Sequence, residues 1–172
     1  DPAGWSVGPA TTGAGANSYY YQSGGTGYHY QGSLYKGGVF GDFTLSCDTA
    51  HITTATYSNI YYHGLCFRAQ GDAADSYVFY VHSNGKIGIR ARVSDTGGDL
   101  FSSYSPVGMN IGRDVKNNLE VVAIGSSMDL YINANFVTNV VDSTWAIGEA
   151  GLYAEGTTSN ANLYEYDDVI LN

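Results

Sequence analysis

The residues best placed for chemistry in this sequence are carboxylates near its end. Glu165, Asp167 and Asp168 fall within four residues, and in an extended strand the first two share a face about 7 Å apart. Glycoside hydrolysis needs such a pair, one carboxylate attacking or activating water while the other protonates the leaving oxygen. No Glu-x-Asp-x-Glu run accompanies them, so the pair suits a solvated edge or a metal ligand better than catalysis. The histidines His29, His51, His63 and His82 lie in separate segments with no His-x-His or His-x-x-x-His spacing. Zinc therefore lacks a motif, and surface or strand-edge positions are expected for all four. No Gly-x-Ser-x-Gly elbow is present, and neither Cys47 nor Cys66 has a convincing His/Asn partner. Gly24-Gly25-Thr26-Gly27 lacks the lysine and following helix of a phosphate cradle. The chain reads as a non-enzyme.

Whatever these residues do, strands must position them. The 172 residues are 44% hydrophobic and 13% charged, with 23 glycines and 16 tyrosines, which suits a single globular domain of strands and tight turns. No apolar run approaches the ~20 residues of a membrane-spanning helix, and none is expected to insert. A net charge of -9 repels phosphate backbones and argues against nucleic acid. The chain begins at Asp1 and carries only three lysines among much Ser, Thr, Asn, Gly and Tyr. That pattern implies an extracellular or cell-surface protein, either processed or excised from a longer one.

Period-two alternation runs through the sequence and helical periodicity is nearly absent. Runs rich in Val, Ile, Tyr, Phe and Thr predict strands over 18–22, 28–31, 43–48, 60–68, 76–82, 86–93, 99–103, 118–124, 128–132, 135–141, 148–155 and 163–171. Short strands with turn signals every 8 to 12 residues predict an antiparallel two-sheet sandwich. The clearest unit is a hairpin, Tyr77–His82 and Ile87–Val93, joined through Asn84-Gly85. With a loop of two or four residues, His82 pairs with Ile87, Tyr80 with Ile89 and Val78 with Ala91. Ile87, Ile89, Ala91 and Val93 then mark the core face, and Tyr77, Phe79, Arg90 and Arg92 share the outer one.

Several segments carry a family resemblance. Phe40-Gly41-Asp42-Phe43, Gly64-Leu65-Cys66-Phe67-Arg68 and Tyr77-Val78-Phe79-Tyr80-Val81 with Asn84-Gly85-Lys86 resemble a recurrent pattern of bacterial concanavalin-A-like, laminin-G-like jelly rolls. So do Leu119-Glu120-Val121-Val122, Leu130-Tyr131-Ile132-Asn133, Gly148 to Ala154 and Tyr166-Asp167-Asp168-Val169. The likeness covers about 38–172, while the Gly/Tyr-rich residues 1–37 match no pattern and are expected to add loops and edge strands to the same domain.

The resemblance implies an all-β jelly-roll sandwich. The superfamily holds lectins, carbohydrate-binding modules, laminin-G-like modules and glucanases, so fold alone does not choose a function. It also brings Arg68 beside Tyr77, Phe79, Arg90 and Arg92, a face that would bind a glycan by stacking and hydrogen bonding, acidic glycans first. It makes Cys47 and Cys66 ends of neighbouring strands and hence a disulfide pair in an extracellular domain. A structural calcium ion is implied between the N-terminal segment and the last strand, with Asp1, Asp167 and Asp168 as its carboxylates. Two functions follow: a non-catalytic extracellular module that binds a polysaccharide or glycan, or a self-assembling cell-surface or filament subunit. In the second, Tyr19-Tyr20-Tyr21-Gln22 and Tyr28-His29-Tyr30 would form an exposed edge for a further copy of the chain. Tyr61-Tyr62 and Trp145 are further aromatic candidates, Trp145 suiting a packing role.

Overall fold

A computed structural model describes residues 5–8, 18–22, 28–52, 62–157 and 162–172. The described residues form thirteen strands and no helix: β1 (Trp5–Gly8), β2 (Ser18–Gln22), β3 (Tyr28–Phe40), β4 (Phe43–Ile52), β5 (His63–Ala69), β6 (Ser76–Val81), β7 (Lys86–Val93), β8 (Thr96–Tyr104), β9 (Asn117–Ile124), β10 (Ser127–Ile132), β11 (Asn135–Val141), β12 (Gly148–Thr157) and β13 (Leu163–Leu171). They pair antiparallel into a seven-stranded sheet, β1-β2-β13-β4-β9-β10-β11, and a six-stranded sheet, β3-β12-β5-β6-β7-β8. Alternation explains the core between them: Leu119, Val121 and Ala123 of β9 and Met128, Leu130 and Ile132 of β10 point inward at every second position. Leu45, Phe67, Ile87, Ile89 and Leu152 complete it, Ile87 and Ile89 as the hairpin pattern predicts.

The strand prediction differs at the N-terminal end. β1 was not expected, and β3 continues to Phe40 through Gly32, Gly37 and Gly38. There the ladder to β12 supplies order that local propensity lacks. The Tyr19–Gln22 strand is no edge: β2 lies between β1 and β13, with Tyr20 and Tyr21 buried. Tyr28–Tyr30 does begin an edge strand, β3.

Two further expectations are corrected. The hairpin loop is odd, not even: His82 N donates to Lys86 O at 2.9 Å and Gly85 adopts φ +94°, leaving three residues between the paired ends. Such a loop uses a left-handed glycine as its bulge residue. The whole register shifts by one, so Val81 pairs with Ile87, Phe79 with Ile89 and Tyr77 with Ala91. Tyr77 and Phe79 therefore enter the core beside Phe67, while Val93 is exposed. The disulfide is also overturned, because Cys47 lies in the core between the sheets and Cys66 on the opposite face of the six-stranded sheet. Both are free buried thiols.

β5 and β6 are buried along their full length. Their outward side chains Cys66, Val78 and Tyr80 join Tyr153, Ala69 and Ala73 in a second cluster. Ala73 belongs to the turn after β5, which folds across this outer face and forms a small core on the far side of the sheet.

Candidate functional site

The outer face of the six-stranded sheet carries a strip of rings and charges. Register aligns Tyr153, Gly64, Tyr80 and Gly88 across four neighbouring strands, so each tyrosine lies beside a residue without a side chain. A Cβ on Gly88 would meet the Tyr80 hydroxyl at 2.5 Å, and only glycine lets that ring cross β7. Tyr62 packs over Tyr80 with ring centroids 4.3 Å apart, anchored where Glu155 N donates to its carbonyl at 2.8 Å. Lys86 Nζ and the Arg90 guanidinium stand 5.1 and 5.6 Å from the Tyr62 centroid, and both lie 5.5 Å from that of Tyr80.

Carboxylates complete the strip. In β8 a bulge lies between the pairs Ile89–Phe101 and Arg90–Asp99, leaving Leu100 unpaired. That extra residue resets the alternation and turns Asp99 to the face of Arg90. Arg90 Nε donates to Asp99 Oδ1 at 3.1 Å, and Lys86 Nζ to Oδ2 at 3.3 Å. Arg90 Nη1 lies 3.6 Å from Glu155 Oε1. A second chain runs behind: Arg92 Nη1 donates to Tyr153 Oη at 2.7 Å, and Tyr153 Oη donates to Glu155 Oε1 at 2.7 Å. Arg92 Nη2 holds Asp95 at 2.6 Å.

Exposure divides the strip. Side chains of Lys86, Arg90 and Asp99 are 17%, 22% and 24% exposed, against 2% for Arg92, so the first three can meet a ligand and Arg92 supports them from below. Lys86 also donates to Tyr62 Oη at 3.0 Å, and β8 brings the exposed Tyr104 opposite it. Burial would raise the Asp99 carboxyl, but the Tyr80 hydroxyl, Arg90 and Lys86 outweigh it and hold the group below its ordinary value. Glu155 goes the other way: its burial wins over Tyr153 and the two arginines and raises it. The exposed rim thus offers fixed donors and an ionised acceptor beside a ring, a set suited to hydroxyl groups on an apolar scaffold. Beyond Arg92, a cleft of about 560 Å³ is lined in part by Gln31, Ser33, Lys36, Asp72 and Asp95.

Of the sequence-predicted set, only Arg90 and Arg92 reach this face. Tyr77 and Phe79 point into the core, where the Tyr77 hydroxyl donates to Asp142. Arg68 is buried at the sandwich rim, donating to Gly41 O at 2.7 Å, Gly125 O at 2.6 Å and Trp145 O at 3.2 Å. Trp145 packs as expected, its Nε1 donating to Arg92 O at 3.1 Å. Tyr80 was missed through the hairpin parity and Asp99 through the bulge in β8; Lys86 shares the β7 face of Arg90 and Arg92 and was legible by alternation alone. Tyr61 lies outside the described residues, as do Asp1 and the side chain of His29.

Of the carboxylates expected to hold calcium, Asp167 and Asp168 lie in β13. Asp167 and Asp48 share the Lys116 ammonium at 3.3 and 3.5 Å. No group of three or more His, Cys, Asp or Glu among the described residues could hold a metal ion. Glu165 is buried and accepts from Ser18 Oγ at 2.8 Å, remote in role from an acid–base pair. The expectation of surface histidines also fails: His51, His63 and His82 are buried and gather at one end of the sandwich. His51 and His63 ring centroids are 6.3 Å apart, and His63 stacks on Tyr164 at 4.7 Å.

No family model and no curated protein matches the chain in sequence. Solved structures do match in shape. A carbohydrate-binding module, CBM66 from Bacillus subtilis, superposes with a TM-score of 0.67 at 16% identity, covering 98% of this chain and 95% of its own. A Bacteroides ovatus GH16 protein in complex with a mixed-linkage glucan product gives 0.61 at 9% identity over 99% and 86%. Sheep galectin-11, solved with glycerol, gives 0.51 at 7% identity over 84% and 96%. The all-β sandwich of this chain is thus a jelly roll of the concanavalin-A-like type, the fold that these binding modules, lectins and hydrolases share.

Proposed function

We propose that this domain is a non-catalytic carbohydrate-binding module that works outside the cell. The observation that carries the reading is the partly exposed strip of Tyr62, Lys86, Arg90 and Asp99, in which an aromatic platform stands beside donors and an acceptor locked by mutual contacts. Sugars are recognised by that combination, ring stacking for the apolar face and charge-assisted hydrogen bonds for the hydroxyls. The carbohydrate-binding neighbours of the same fold support it as analogy. A binding role is favoured over hydrolysis because Glu155, the carboxyl that burial raises, is buried behind Arg90 and bonded to Tyr153. The extracellular assignment rests on composition. Affinity electrophoresis through gels containing soluble polysaccharides, neutral and acidic, tests the reading. Retardation by at least one, lost in Tyr62→Ala and Arg90→Ala, is expected; no retardation by any would reject it.

Assembly is the second reading, and β11 favours it. This edge strand, Asn135–Val141, carries no charge, and Phe136 and Val141 are exposed. Edge strands without charged or proline guards tend to pair with other chains. Light scattering should then show concentration-dependent oligomers that Phe136→Lys abolishes; a monomer at all concentrations eliminates this reading.

A further inference from the structure

The strip's charges choose among glycans. Lys86, Arg90 and Arg92 on one sheet face suggest an anionic ligand, yet none of the cations there is free to take one. Lys86 and Arg90 are engaged by Asp99, Arg90 also by Glu155, and Arg92 by Asp95, at 2.6 to 3.6 Å. Three cations face three carboxylates, and the strip is neutral as a whole. Elsewhere Lys36 is paired with Glu149, and Lys116 with Asp48 and Asp167. Five of the seven cations are thus ion-paired, and a sixth, Arg68, is buried against carbonyls.

A uronate or sulfate reaching Arg90 would have to displace Asp99 or lie against it, with Glu155 behind. Two like charges about 4 Å apart repel strongly at a partly buried site. The remaining field, from a net charge of -9, also repels polyanions on approach. A hydroxyl pair meets neither obstacle. One hydroxyl can donate to the exposed part of Asp99, which its neighbours keep ionised, while an adjacent one accepts from Lys86 or Arg90 without separating the pair. Tyr62 can then carry the ring's apolar face.

We infer that the Tyr62–Lys86–Arg90–Asp99 strip binds uncharged, polyhydroxylated sugars through a vicinal hydroxyl pair and discriminates against acidic glycans. This rests on the carbohydrate-binding reading and sharpens its ligand class. Asp99→Asn tests it, because the two ligand classes predict opposite signs. For a neutral sugar the substitution removes an ionised acceptor and should weaken binding 10-fold or more. For a polyanion it removes the nearest like charge and the Asp99 claim on Lys86 and Arg90, and should tighten binding.

Isothermal titration against a soluble neutral glucan, mannan, galactan and fructan, and against polygalacturonate and alginate, reads this directly. Expected is binding to a neutral polymer only, unchanged between 50 and 500 mM NaCl because no net charge is neutralised, with Asp99→Asn weaker. Salt-sensitive binding to a polyuronate, or an Asp99→Asn variant that binds equally or more tightly, overturns the inference and leaves carbohydrate binding standing. Failure to bind any polymer removes the binding reading itself. The salt series uses unmodified protein, so it decides even if the variant does not fold.

Discussion

Arg68 is one side chain whose surroundings settle its role. With φ at +50° it leaves the extended region, and its guanidinium ends buried among the carbonyls of Gly41, Gly125 and Trp145. These come from three separate turns, so one residue closes the rim where the strands end. Arg68→Ala should lower stability by about 3 to 5 kcal/mol in urea denaturation, since it strands buried carbonyls. Arg68→Lys should recover little, because one ammonium cannot span the three positions; full recovery would refute the role. The thiols give a second test. Burial raises Cys66 to about 12 and Cys47 higher still, which keeps both protonated and slow to react. Thiol titration should count two in guanidinium chloride and almost none in the native protein over minutes. A count of zero in denaturant would restore the disulfide. In the core, Ile89→Ala should cost about 2 to 5 kcal/mol.

At the scale of elements, the β6–β7 hairpin and its neighbour β8 build the site by irregularity. The three-residue loop with Gly85 turns Tyr80 outward and Tyr77 inward, and the bulge at Leu100 brings Asp99 round to Arg90. Two single-residue insertions thereby put an aromatic ring, two cations and a carboxylate on one face. Glycine at 88 is the third requirement: its missing side chain is what Tyr80 lies across, and a Cβ would also meet the Phe101 carbonyl at 2.7 Å. Gly88→Ala should destabilise the domain by about 1 to 3 kcal/mol through overpacking and, by lifting Tyr80 and Tyr62, weaken polysaccharide retention. Unchanged retention in a folded Gly88→Ala protein would show that ring placement does not matter. Trp5, stacked on Tyr19 at 4.9 Å, shows the converse: β1 is held by rings of β2 and not by its own propensity.

For the molecule as a whole, the end of the sandwich with three buried histidines sets its response to acid. Burial is the main cause that lowers all three imidazoles, His51 and His82 to about 4 and His63 well below its ordinary value. Arg113 lowers His51 and His82 further, while Asn162 and Asp114 partly restore His51 and the Asn84 contact partly restores His82. Each folded value lies below the unfolded value near 6.5. The unfolded chain therefore takes up protons first as pH falls, and stability declines from about pH 6.5 down through about pH 4, at most about 1.4 kcal/mol per pH unit for each histidine. Glu155, raised in the folded protein, acts with the opposite sign above pH 4.5 and offsets part of this. Urea midpoints should be level from pH 8 to 7 and fall steadily from 6.5 to 4; a midpoint equal at pH 7 and 5 would show that these imidazoles are solvated.

The fold was legible because its code is local: side chains alternate with period two, and Gly, Asn and Ser punctuate the strands, so the sheets and core positions such as Leu45, Val121 and Leu130 follow from the chain itself. The site was only half legible. Composition fixes the number of arginines, but which side of the sheet a residue faces depends on parity, and one added residue in a loop or bulge inverts it. Tyr77 and Phe79 changed places with Tyr80 for that reason. The turn that buries the outer faces of β5 and β6, the carboxylates that neutralise Arg90 and Arg92, and the opposite faces taken by Cys47 and Cys66 all involve contacts between residues distant in sequence. Charge, strand content and core were written in the sequence alone. Which charges meet, and which rings are left for a ligand, was decided by the packing of the strands and turns against one another.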